Sequence, residues 1–113
     1  MAVRLGLTSL GTGGTVKTYE LIDQELYAWA ASYGLEIFTE YQDFEVRSTD
    51  VLGNAGTKCQ IWVEPTGTST FVVNIWNYQK KQAKRLKQLR ASKADIRNRL
   101  EEAYQTAREW LNT

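Results

Sequence analysis

Apolar residues recur near the start of the chain at alternating three- and four-residue steps: Tyr19, Ile22, Leu26, Trp29 and Tyr33. That spacing lays one apolar stripe along a helix. Thr18 is placed to cap its start, Glu20 and Asp23 put negative charge where the helix dipole favours it, and Gly34 supplies the left-handed residue that ends it. From Leu35 the period drops to two. Leu35 to Tyr41 reads as a strand, with Phe44 to Val51 as its continuation beyond an irregularity at Gln42–Asp43. Leu52-Gly-Asn-Ala-Gly56 is turn chemistry, because Gly and Asn tolerate positive φ. Lys58 to Glu64 forms the next strand, with Cys59, Ile61 and Val63 on one face. Pro65-Thr-Gly67 turns the chain again, and Thr70 to Tyr78 follows with Phe71, Val73 and Ile75 on the matching face.

Helical spacing returns at Ile96, Leu100, Ala103, Ala107 and Trp110. Ser92 with Asp95 three residues on approximates a capping box. Two readings of 79–91 follow. If Ser92 is a true cap, the stretch is a basic turn followed by a fourth strand near Arg85 to Ala91. If it is not, Leu86 and Leu89 join the later apolar seam in one helix from about Gln79 to Trp110. Good helix formers favour the second reading, and the usual helix length in a small domain tips the choice slightly to the break at Ser92. The fold expected is α+β: a three- or four-stranded antiparallel meander with an N-terminal and a C-terminal amphipathic helix packed on one face.

At 113 residues, 42% hydrophobic and 24% charged, the chain has the size and composition of one soluble domain. We assign it to residues 17–113, with 79–91 as the basic segment joining the sheet to the last helix. Residues 1–16 are expected to be a flexible Gly/Thr-rich leader. Their glycines do not make a phosphate loop, since no strand precedes them and no Gly-Lys-Ser/Thr ending follows. No apolar run reaches the length of a membrane span, and the start is too mixed for a secretory signal. The single cysteine, Cys59, excludes an intrachain disulfide and fits a reducing cytoplasm. The chain is expected to be cytoplasmic, with no membrane partner.

Charge changes the picture more than composition does. The net charge of +1 divides into −5 before Lys80, +8 from Lys80 to Arg99, and −2 thereafter. An acidic module is thus followed by a dense basic run, which points to a polyanion or an acidic surface as the ligand. Catalytic chemistry is poorly provided for. Histidine is absent, which removes the commonest general base and metal ligand. Cys59 lacks a histidine partner and falls on the inward side of its strand. Glu36, Glu40, Asp43, Glu45 and Asp50 come from one stretch and could converge on magnesium, but a solvated strand face gives the same pattern. No enzyme activity, cofactor or metal is expected.

The same alternation that buries Cys59 and Ile75 turns Trp62, Trp76 and Tyr78 outward. Tryptophans on a polar strand face act as a stacking platform for bases, or are covered by the basic segment or a second copy. Lys80, Lys81, Lys84, Arg85, Lys87 and Arg90 are enough cations for salt-sensitive polyanion binding. Their order is helix, strands, then Lys80-Lys-Gln-Ala-Lys84, which resembles in outline, over residues 18–91, the double-stranded RNA-binding domain. There a Lys-Lys-x-Ala-Lys run opens the last helix and lies across phosphates. The resemblance implies phosphate contacts at Lys80, Lys81 and Lys84. The chain departs from that family in three ways: Ile75-Trp-Asn-Tyr78 replaces the glycine-rich approach, Arg85-Leu-Lys87 with Leu89 replaces the alanine-rich helix face, and Ser92 to Leu111 has no counterpart. The expected function is a non-enzymatic binding module with a basic surface for nucleic acid, RNA favoured. The alternative is a protein-interaction protein (an inhibitor, immunity or accessory subunit). It would dock an acidic partner, or form a homodimer through Trp62, Trp76 and Tyr78.

Overall fold

Helical and period-two segments separate into two layers in the computed structural model, which describes residues 19–40, 46–77 and 85–112. Helix α1 (Asp23–Ser32) precedes strands β1 (Phe38–Glu40), β2 (Val46–Leu52), β3 (Lys58–Pro65), β4 (Thr70–Asn77) and β5 (Arg85–Ser92), and helix α2 (Ile96–Leu111) follows. The five strands lie in sequence order, each antiparallel to the next. The fold is α+β, with both helices on one side of an open sheet.

Register turns the alternation into a core. Ile61 lies between Thr49 and Ile75, and Val63 between Arg47 and Val73. Phe71 is opposite Ala91 and Val73 opposite Leu89. These rows are buried together with Ile96, Leu100, Ala103 and Ala107 of α2 and Leu26 and Trp29 of α1. Alanine at 103 and 107 leaves room for the helix to approach the strands, and the Cys59 thiol lies 3.9 Å from the Ala107 carbonyl oxygen. Each large apolar side chain so buried contributes roughly 1.5–3 kcal/mol.

Polar contacts fix α1 to this layer. The Tyr19 hydroxyl donates to the Val63 carbonyl at 2.7 Å. Arg47, on the inward face of β2, donates to both Asp23 oxygens at 3.2 and 3.1 Å, with its guanidinium 4.4 Å from the centre of the Tyr19 ring. At the other end Tyr33 stacks on Tyr104 with centroids 3.7 Å apart, and its hydroxyl donates to Glu101. Gly34, at φ 68°, ends α1 as expected: its N–H reaches Ala31 and the Leu35 N–H reaches Ala30, the paired bonds of a Schellman cap.

The sheet has five strands rather than the three or four expected. Residues 35–51 were expected to run as one interrupted strand, but Phe38 pairs with Ser48 and Glu40 with Val46, so the chain reverses between them. No Gly or Pro marks that reversal, and the irregularity at Gln42–Asp43 does not by itself distinguish a reversal from an interruption within one strand. The break at Ser92 stands and the helix from Gln79 does not form: β5 ends at Ser92 and α2 starts at Ile96. Only half of the capping box forms. The Asp95 carboxylate accepts from the Ser92 N–H at 2.6 Å and from the Ser92 hydroxyl at 3.0 Å, while Asp95 itself takes the N-cap position. Thr18, the leader and the start of the basic segment lie outside the described residues.

Candidate functional site

Among the described residues nothing packs on the second face of the sheet, and its composition is unlike a solvated surface. Phe38, Leu52 and Leu86 point there with 45%, 67% and 59% of their surface exposed, beside half-buried Trp62, Val72 and Trp76. Register explains the grouping: Trp62 sits between Ser48 and Asn74, and Trp76 between Gln60 and Leu86. The two tryptophans are therefore diagonal neighbours on β3 and β4. Their rings meet edge to face, with centroids 6.4 Å apart and planes at 80°.

A hydrogen-bonded chain holds this pair in place. Trp62 Nε1 donates to Glu64 Oε1 at 2.8 Å, and the same oxygen accepts from Asn74 Nδ2 at 2.8 Å. Gln88 Nε2 in turn donates to Asn74 Oδ1 at 2.7 Å. Asn74 is fully buried between its neighbours, so its amide serves as a spacer whose polar atoms are satisfied. Gln88 is exposed and presents the rest of its amide to solvent.

Strand alternation divides the basic residues. Arg85 and Lys87 lie on the helix side of β5, where Arg85 sits 5.8 Å from the centre of the Trp110 ring and Lys87 lies 3.9 Å from Glu102. Arg90 lies on the open face, opposite Val72. Lys80, Lys81, Lys84 and Tyr78 fall outside the described residues, in the stretch connecting Asn77 to Arg85. In the double-stranded RNA-binding domain such lysines open a helix. Here residues 85–92 are a strand, so that part of the resemblance does not carry over.

The sequence did not single out what surrounds Arg90. A groove of about 700 Å³ runs there, lined by Thr66, Thr70, Val72, Gln88, Arg90 and Asp95. Lys93 follows at the same end of β5, its backbone N–H held by the Ser69 carbonyl at 3.2 Å. Arg47, Lys58, Lys87, Arg97 and Arg99 each pair with a carboxylate. Among the described residues Arg90 and Lys93 have no such partner. Only inter-strand register assembles this end, so spacing along the chain gave no signal of it.

Other candidates for chemistry are held in place by structure. Burial pushes the Cys59 thiol up to about 11, against smaller opposing effects of Arg108 and Arg85. Hydrogen bonds from Ser92 hold the Asp95 carboxyl below the usual carboxylate range. Glu36 and Asp50 line a second cleft of about 440 Å³ with Tyr33, Tyr104 and Arg108, and Asp50 is 3.8 Å from Lys58. Asp43 and Glu45 lie outside the described residues. Among the described residues no three His, Cys, Asp or Glu side chains cluster in a way that could hold a metal ion, and no helix is long and apolar enough to cross a membrane.

No protein-family model matches the chain, and no curated protein or solved structure matches it either.

Proposed function

We propose that the chain is a non-enzymatic binding module that holds nucleic acid on the open face of its sheet, RNA being the first ligand to test. One observation carries this reading. Trp62 and Trp76 lie together on the open face, and β4 leads from Trp76 directly into the stretch bearing Lys80, Lys81 and Lys84. Aromatic rings beside a run of cations are the two components of sequence-tolerant nucleic-acid binding. Arg90 supplies a further cation on the same face, whereas Arg85 and Lys87 belong to the helix side and contribute through the long-range field. The test is fluorescence anisotropy of labelled double-stranded RNA, single-stranded RNA and duplex DNA at several salt concentrations. The variant lacking Lys80, Lys81 and Lys84 should bind more weakly and with a shallower salt slope.

A second reading is favoured by Phe38, Leu52 and Leu86, which are apolar, exposed and on the same face. A protein partner or a second copy would bury them, with Trp62 and Trp76 as anchors. Under that reading the triple lysine variant keeps its binding and Trp62→Ala or Trp76→Ala loses it.

A further inference from the structure

Resting on the open face as the nucleic-acid surface, we propose that its ligand is a single strand lying along β4 and β5, with phosphates on the β5 side and bases turned toward β3. Charge across the face sets that polarity. The row Glu64–Val72–Arg90 crosses β3, β4 and β5, placing a carboxylate at one side and an unpaired guanidinium at the other. Asp50 on β2 and Lys58 on β3 lie elsewhere on this face as an ion pair and add no net charge to it. A phosphate chain is therefore repelled from β3 and drawn to β5, where Lys93 extends the positive end.

Ring placement sets the strandedness. Trp62 and Trp76 are half-buried and nearly perpendicular to each other, so each keeps part of its ring surface at the open face. A base can lie on such a ring only if its own face is free, and in a duplex both faces are taken by stacked neighbours. Duplex recognition would rest on cations alone. It would leave Trp62 and Trp76 without a stacked base, so the rings add affinity only for a single strand. The eight residues of β4 span about 26 Å, which accommodates about four nucleotides, the short end of the range for single-strand grooves. Gln88 lies midway along β5, its exposed amide available to the sugar-phosphate backbone.

Titration of the full chain with single-stranded oligonucleotides of increasing length, against a duplex of the same sequence, tests this directly. We expect the single strand to bind at least tenfold more tightly than the duplex, and affinity to stop rising steeply beyond about four to six nucleotides. Trp76→Ala should lose about tenfold in affinity and Trp76→Phe should restore most of it. Arg90→Gln should lower the salt slope by about 0.7, with circular dichroism confirming the fold of each variant. Equal or tighter duplex binding would overturn the single-strand assignment and leave the nucleic-acid reading standing. Single-strand binding indifferent to Trp76→Ala in a folded variant would overturn the placement on this face. Absence of binding to either form at low salt would overturn the nucleic-acid reading itself, and this assignment with it.

Discussion

Trp62 donates its indole N–H to Glu64, two residues further along the same strand, and Asn74 of the neighbouring strand donates to the same carboxylate oxygen. The carboxylate thereby fixes the ring's orientation while placing negative charge on the face proposed to meet phosphate. The two roles separate in Glu64→Gln, which keeps an acceptor and removes the charge. Nucleic-acid affinity should rise about two- to fivefold at low salt, with the gain vanishing at high salt. Anisotropy titrations of the variant check this, and an unchanged or weakened affinity would argue that no phosphate lies within electrostatic range of Glu64, against a strand laid along β4 and β5.

Arg47 is nearly buried under Tyr19 and pairs with the Asp23 carboxylate. Removing the acid leaves a cation with poor solvation, so Asp23→Ala should destabilise the protein by about 2 kcal/mol, less than a fully buried pair because Asp23 is partly exposed. Urea unfolding measures this. Arg47→Met, which fills the site with an apolar chain, should cost less than Asp23→Ala.

Stability should decline toward both pH extremes for identifiable reasons. The Cys59 thiol has a raised folded-state pKa, so the native state holds its proton where the unfolded chain has lost it. Stability is full below about 9 and is lost as pH rises through about 11. The Tyr33 phenol, held up chiefly by its hydrogen bond to Glu101, acts in the same direction. Asp95 has a lowered pKa, so its contribution is present above the ordinary carboxylate value and is lost as pH falls through its folded value. Denaturation midpoints across pH should flatten on the alkaline side in Cys59→Ala and on the acid side in Asp95→Asn. In the folded protein Cys59 should resist thiol reagents at pH 8.

Much of the fold is written locally. The stripe from Tyr19 to Tyr33 faces the core as spaced, although the helix itself starts only at Asp23 after a turn at 21–22 that leaves Glu20 outside its first turn. The stop at Gly34 and the alternation of β3 and β4 follow from turn chemistry and spacing, and Trp62 and Trp76 emerge outward for the same reason. The β1–β2 reversal carries no Gly or Pro, and its irregularity at Gln42–Asp43 is equally compatible with a break inside one strand. Residues 85–92 are good helix formers that become a strand because pairing with β4 along eight positions outweighs their propensity. That substitution of a two-residue period for a helical one is what sends Arg85 and Lys87 to one side and Arg90 to the other. Glu64 shares the face of Trp62 by simple alternation, whereas Gln88, Thr66 and Thr70 join the site only through inter-strand register, which the sequence does not spell out.

The most direct measurement is a titration of intrinsic tryptophan emission with a single-stranded oligonucleotide at low salt, repeated in the Trp62→Phe/Trp76→Phe variant. Trp29 is buried and Trp110 lies against Arg85 on the helix side, so a ligand on the open face reaches only the other two. The account predicts saturable quenching in the native chain, reversed by added salt and nearly absent in the variant. No quenching, or quenching that persists in the variant, would contradict it.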